Sequence, residues 1–166
     1  IDIISHALNV KPYEIEDITV LKKGMTNRSF LFASQGQKYI MRIPGEGTDQ
    51  LINRAEEASV YKTIDGLGIC DDLVYINPTN GYKITKFLAG ARVCDAESDD
   101  DLKRCMEKLR AFHERKLKVD HFFDIFGKID FYESLWGGQP SEYKDYKKTK
   151  AKVLELKALI DEWVKP

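Results

Sequence analysis

Arg42 and Glu57 are the residues whose types and spacing point most directly to chemistry. Arg42 lies in the run Tyr39-Ile40-Met41-Arg42-Ile43, a strand pattern with apolar neighbours on either side. A permanently charged guanidinium there needs a partner or a ligand, because buried cations are rarely left unpaired. Glu57 is the carboxylate on offer, roughly two turns into the helix that follows. Glu56 competes with it, and Arg54 can pair locally with either. A strand cation oriented by a helix glutamate is placed to meet the phosphates of a nucleotide. The plainer alternative is an edge-strand arginine paired at the surface.

Two further stretches could serve the same ligand. Gly24-Met25-Thr26-Asn27-Arg28-Ser29 reads as a turn whose backbone N–H groups, two hydroxyls and one amide suit phosphate oxygens. Its candidate contacts are Thr26, Asn27, Arg28 and Ser29. It is neither G-x-G-x-x-G nor a Walker A motif, and any hairpin can carry such residues. Lys86-Phe87-Leu88-Ala89-Gly90 closes a later strand, where Lys86, Phe87 and Leu88 could offer an adenine backbone groups between apolar side chains.

Other patterns lead nowhere. His113-Glu114 lacks the second histidine of HExxH, and His121-Phe122-Phe123-Asp124 has the wrong spacing for a catalytic HxD. Ile129-Asp130-Phe131 resembles a metal-binding aspartate segment but sits too early in the chain. No asparagine follows Asn80 at all. A phosphoryl-transfer site of this kind needs one for its metal, so no catalytic residue and no metal ligand is assigned here.

The elements that would position these residues can be read from periodicity. A short helix capped by Asp2 runs through Leu8 and ends at Lys11-Pro12. A β-branched run from Ile15 to Leu21 is a strand that reaches Gly24. Strands Ser29–Ser34 and Lys38–Ile43 flank Gln35-Gly36-Gln37, a hairpin signal. From Asp49 the period changes, with Leu51, Ala55, Ala58 and Tyr61 on one helix face, ended by Gly66 and Gly68. Leu73–Ile76 and Tyr82–Leu88 are strands joined at Asn77-Pro78-Thr79-Asn80-Gly81.

After Gly90 the pattern turns helical. Ser98 caps a helix striped by Leu102, Cys105, Met106, Leu109 and Phe112. The stretch Phe122–Leu135 is short, aromatic and interrupted by Gly127. A last helix starts at about Ser141 with Tyr146, Val153, Leu156, Ile160 and Trp163 as its seam. The expected class is α+β: a five-stranded antiparallel sheet with one main helix over 1–90, then helices over 91–166.

The chain has 166 residues, with 26 Lys and Arg against 27 Asp and Glu for a net charge of −1. Interspersed charge gives no footprint for nucleic acid or an anionic membrane. No apolar run approaches the ~18–20 residues of a membrane span, and no signal-peptide pattern opens the chain. The start at Ile1 reads as a trimmed or excised segment. Three widely spaced cysteines, Cys70, Cys94 and Cys105, read as structural thiols of a reducing, cytoplasmic compartment.

With these residues laid out, the chain resembles the bacterial choline kinases of the LicA type, relatives of the aminoglycoside phosphotransferases. Gly24-Met25-Thr26-Asn27 resembles the family's phosphate loop. Tyr39 through Thr48, running on to Glu57, resembles its third strand and following helix. Tyr82 through Arg92 resembles its hinge, and Phe123-Asp124 through Glu133 a stretch before its catalytic loop. The resemblance implies a protein-kinase-like small lobe followed by an incomplete helical large lobe. It also implies ATP and Mg²⁺ as cofactors, choline as acceptor, and Arg42 in the place of the usual kinase lysine.

The family's catalytic Asp, metal-binding Asn and later Asp have no matching positions, so this chain alone is expected to be inactive, with its Mg²⁺ ligands outside it. Most of a quaternary-ammonium cage would also lie beyond Pro166, with Tyr132 and Trp136 as residues that could touch it. The rivals are ethanolamine or an aminoglycoside as acceptor, and a non-catalytic nucleotide-binding or interaction module. The seam of the last helix leaves self-association open.

Overall fold

The computed structural model describes residues 1–21 and 27–163, with the side chains at 161 and 163 left aside. Two compact units divide at Asp120, and each is taken by itself.

The first unit is built on a five-stranded antiparallel sheet in the order β1-β2-β3-β5-β4. Its strands are β1 (Glu16–Leu21), β2 (Asn27–Ser34), β3 (Gln37–Pro44), β4 (Leu73–Ile76) and β5 (Lys83–Lys86). Gln35 at φ 49° and Gly36 at φ 77° join β2 to β3. Positive φ at both central residues is the primed turn whose twist matches the strands it connects. The register that follows sets Ser29 opposite Arg42 and Phe30 opposite Met41, while β3 sets Arg42 opposite Lys83 and Met41 opposite Ile84.

Paired residues share a face, so the sheet sorts itself into two sides. One side carries Phe32, Met41 and Ile84, which pack with Ile4 of α1 (Asp2–Leu8) and with Ile15 as the hydrophobic core. The other side carries Asn27, Ser29, Ile40, Arg42, Lys83 and Thr85. Helix α2 (Arg54–Ile64) lies over this second side, because its Glu57 and Tyr61 reach Arg42 and Lys83.

Several boundaries differ from expectation for identifiable reasons. Ile1, not Asp2, stands at the N-cap of α1, with Asp2 in its first turn. Helix α2 begins at Arg54 rather than near Asp49. A 3₁₀ turn at Thr48–Gln50 intervenes, and Asn53 caps the helix by accepting from the N–H groups of Ala55 and Glu56. Leu51 is therefore exposed instead of facing the sheet. Strand β5 is shorter than Tyr82–Leu88 at both ends. Asn77 draws Tyr82 into the preceding turn, since its N–H donates to the Tyr82 carbonyl at 2.9 Å.

Helix α3 (Asp99–Glu114) starts at its Ser98 cap as expected. Its apolar stripe is not buried: Leu102, Met106 and Leu109 are exposed. Lys108 ties it to the connection between α2 and β4 through the Gly68 carbonyl at 2.6 Å.

The second unit holds α4 (Ile125–Ser134), α5 (Tyr146–Glu155) and α6 (Lys157–Trp163). Gly127 does not interrupt α4. It lies in the first turn, where its N–H donates to the Asp124 carboxylate at 2.8 Å. A Cβ there would sit 2.2 Å from that carboxylate, so glycine permits the cap. The last helix starts at Tyr146 and breaks at Leu156 into two pieces, α5 and α6. The break leaves Val153 and Leu156 of the expected seam exposed.

Candidate functional site

Glu57 sits where a carboxylate is needed by two cations at once. Its position follows from the Asn53 cap, which fixes the start of α2 and places residue 57 on the turn that faces β3. Oε1 accepts the Arg42 Nη2 at 2.6 Å, and Oε2 accepts the Arg54 Nη1 at 3.2 Å. Arg42 also donates from Nη2 to the Gly81 carbonyl at 3.2 Å. Its Nε is buried and has no hydrogen-bond partner among the described residues. Glu56, the expected competitor, takes no part in these contacts.

The most deeply buried arginine is Arg54, which makes the local pairing with Glu57 expected from sequence and more besides. Only 5 % of it is exposed. Its Nη2 donates to the Thr48 hydroxyl at 2.6 Å, and its Nε lies 3.4 Å from Asp49. Gly81 closes over it with φ +69°, and a Cβ at residue 81 would meet the Arg54 Cδ at 2.5 Å. The signal for this role was the order Thr48-Asp49 before the helix, whose oxygens return to the first helical residue.

Lys83 is a second residue that sequence reasoning missed. It stands across from Arg42 on β5 and is 8 % exposed. Its ammonium lies 3.9 Å from the centroid of the Tyr61 ring and donates to the Tyr61 hydroxyl. A cation over an aromatic face is attracted by the ring quadrupole. Arg42, Lys83 and Ser29 thus form one polar row across three strands.

The remaining expected contacts distribute as follows. Thr26 lies outside the described residues. Asn27 and Ser29 fall within β2 rather than in a turn, on the Arg42 side of the sheet. Arg28 alternates to the opposite side, paired with Ile43, and is exposed. Lys86 ends β5 and pairs with Asp72 at 3.4 Å on the surface. Beyond it, the Phe87 N–H is tied to the Lys38 carbonyl at 2.9 Å, and Leu88 is exposed. Gly90 then turns the chain away with φ 75°.

In the second unit, Lys150 bridges Glu133 at 2.6 Å and Asp130 at 2.9 Å, and Tyr146 donates to Glu133 at 2.8 Å. Lys150 and Tyr146 hold the Glu133 carboxyl below the usual range, and the two carboxylates raise Lys150 in turn. Asp130 is thus engaged as an ion-pair partner. Trp136 packs on Tyr146, ring centroids 5.1 Å apart, beside a cavity of about 750 Å³. Tyr132 is not among the residues that line it. No group of three or more His, Cys, Asp or Glu able to hold a metal occurs among the described residues. No described helix is long and apolar enough to cross a membrane.

Comparison with known proteins places the fold. A solved structure described as choline kinase LicA from Streptococcus pneumoniae superposes with a TM-score of 0.78 at 24% identity, over 98% of this chain and 57% of that one. A structure of LicA in complex with AMP gives 0.73 at 23% identity. An ethanolamine kinase from Plasmodium vivax gives 0.56 at 17% identity over 90% of this chain and 48% of its own. At these identities the likeness shows the fold, a choline-kinase-like α+β architecture.

Two curated proteins of Haemophilus influenzae, each named Protein LicA, are 24% identical over 124 and 123 residues. The chain spans 37% and 46% of their lengths. The family model for choline/ethanolamine kinase matches residues 18–165, which takes in the Arg42–Glu57 pair, residues 86–88 and every described α-helix but the first. With fold and sequence agreeing over nearly its whole length, this chain belongs to the choline/ethanolamine kinase family.

Proposed function

We propose that this chain is the nucleotide-binding front part of a choline kinase, which moves the γ-phosphoryl group of ATP to the hydroxyl of choline. The observation that carries the reading is Arg42: held at 2.6 Å by Glu57, with a buried Nε that has no partner among the described residues. A buried donor left unmade costs roughly 1–3 kcal/mol. The arginine is thus held in place with donor capacity to spare, and its planar fork suits a phosphate.

In this reading Glu57 is the positioning residue and Arg42 the phosphate contact. The side chains of Asn27 and Ser29, which share the Arg42 side of the sheet, extend the anion site together with Thr26, and the backbone groups of Lys86 to Leu88 left outside the ladder hold the adenine. The lobes divide near Gly90, in a cytoplasmic enzyme. Among the described residues no carboxylate cluster for Mg²⁺ occurs, so no step is routed through the metal. Phosphoryl transfer rests on positioning and charge neutralisation. Without the catalytic Asp and the metal-binding Asn and Asp, the chain alone binds nucleotide and does not turn over. Choline is favoured as acceptor by the LicA relatives.

Calorimetry with ATP on the chain, and phosphorylation of choline, ethanolamine and an aminoglycoside by the whole protein, tests the proposal. Arg42→Ala should weaken ATP binding at least about tenfold, roughly 1.4 kcal/mol, with Arg42→Lys between it and the wild type. Unchanged affinity in Arg42→Ala would remove Arg42 from the site, and preferential turnover of another acceptor would overturn the choline assignment.

A further inference from the structure

The loop that leaves Gly90 brings together two thiols far apart in the expected reading. Cys105 Sγ lies 3.4 Å from Cys94 Sγ, and both cysteines are free and exposed. With Arg92, Asp101, Arg104 and Lys108 they line an open cavity of about 540 Å³.

This proximity is over-determined by the surrounding contacts. Asp101 and Cys105 are four residues apart on α3 and so occupy the same helix face. Asp101 is 8 % exposed and accepts a forked pair from Arg92, Nη2 to Oδ1 at 2.7 Å, together with the Asp95 N–H at 2.9 Å. The residues two before and one after Cys94 are therefore both pinned to Asp101. Cys94, between them, lies against the next turn of α3, where Cys105 is. Its thiol is held above the usual cysteine range, first by the Cys105 sulfur and then by burial, while Arg92 pulls the other way.

We propose that Cys94 and Cys105 are a reversible dithiol–disulfide site that reacts with disulfide oxidants of the glutathione class. One thiolate attacks a sulfur of glutathione disulfide, forming a mixed disulfide and releasing one glutathione, which takes up a proton. The second thiolate then attacks the protein sulfur of that mixed disulfide and releases the second glutathione. Two thiols are oxidised, one disulfide is reduced, and a Cys94–Cys105 bond remains. The sulfurs need to close by about 1.4 Å to reach bonding distance. In a reducing compartment such a bond is transient and regulatory rather than structural. It would tie the segment after Gly90 to α3. Cys70 stands outside this site: half-buried, it has its thiol pushed up by desolvation and then by Asp71.

The test treats the full chain with glutathione disulfide at neutral pH, followed by alkylation under denaturing conditions, intact mass and peptide mapping. Expected is a loss of about 2 Da, a Cys94–Cys105 cross-linked peptide, one alkylated thiol at Cys70, and full reversal by dithiothreitol. Cys94→Ser and Cys105→Ser should each hold a stable glutathione on the remaining partner instead. Glutathione retained on both cysteines of the wild type, bridges between chains, a bridge to Cys70, or three unreacted thiols would each overturn the proposal.

Discussion

Lys83 stands directly across the β3–β5 ladder from Arg42, and each of these cations is met by a different side chain of α2. Like charges placed opposite one another on a sheet are unfavourable. Here Glu57 faces the first and the Tyr61 ring the second, one helical turn further on. The sheet side beneath α2 thus carries more positive charge than its one shared carboxylate offsets, a field suited to an anionic ligand.

Glu57→Gln should lower stability by about 2–4 kcal/mol, because it leaves buried guanidinium groups without their carboxylate. Lys83→Met added to that variant should restore part of the loss by removing the neighbouring charge. Urea midpoints of the single and double variants give the comparison. Equal midpoints for wild type and Glu57→Gln would show that the carboxylate holds neither arginine.

At Gly81 two independent obstacles meet a side chain. Its φ is +69°, and a Cβ would lie 2.5 Å from Arg54 Cδ and 3.1 Å from Pro44 Cγ. Gly81→Ala should cost roughly 1–3 kcal/mol in strain and push Arg54 off Glu57. Gly36→Ala, with φ +77° and nothing within 4 Å, should cost only about 1 kcal/mol. Thermal melts of the pair decide the matter, and equal losses would mean that the Arg54 contact contributes nothing.

Asn53→Ala removes the cap of α2, whose oxygen accepts N–H groups at 3.1 and 3.2 Å. The expected loss is about 1 kcal/mol. Because fraying would begin one turn before Glu57, ATP affinity should fall together with stability. Asn53→Asp should keep both. A variant as stable as the wild type with weakened ATP binding would contradict the capping account.

Acid stability should depend on Asp101. Its carboxyl is held well below the ordinary value of 3.8, first by the Arg92 guanidinium and then by the Asp95 N–H. A carboxylate with a lowered folded pKa stabilises the fold fully above its unfolded value, and that stability is lost as pH falls through the folded one. The advantage of wild type over Asp101→Asn should therefore be constant near neutrality and shrink from about pH 5 downward. Urea midpoints across pH would show converging profiles, and parallel profiles would refute the assignment.

Much of the sheet was legible because strand alternation and turn chemistry are local. Gln35-Gly36 named its own turn, and the spacing from Arg42 to Glu57 survived the misplaced helix start, since either start leaves residue 57 in the helix. What escaped notice depended on the return of the chain. Arg54 is buried because Thr48, Asp49 and Gly81 come back to it, and no window of sequence contains all four. Cys94 and Cys105 meet where Asp101 gathers Arg92 and Asp95. The break at Leu156 had no glycine or proline to announce it, and the seam pattern runs through it unchanged.

The two-residue loop at Gln35-Gly36 has a consequence at the opposite end of its hairpin. A single residue inserted there must appear as a bulge or slide β2 against β3 by one position. Sliding would rotate Phe32 out of the hydrophobic layer and bring Arg28, now on the far side, to stand beside Arg42. A slide would thus set two guanidinium groups side by side, so added length in that remote loop leaves Arg42 undisturbed only where a bulge absorbs it.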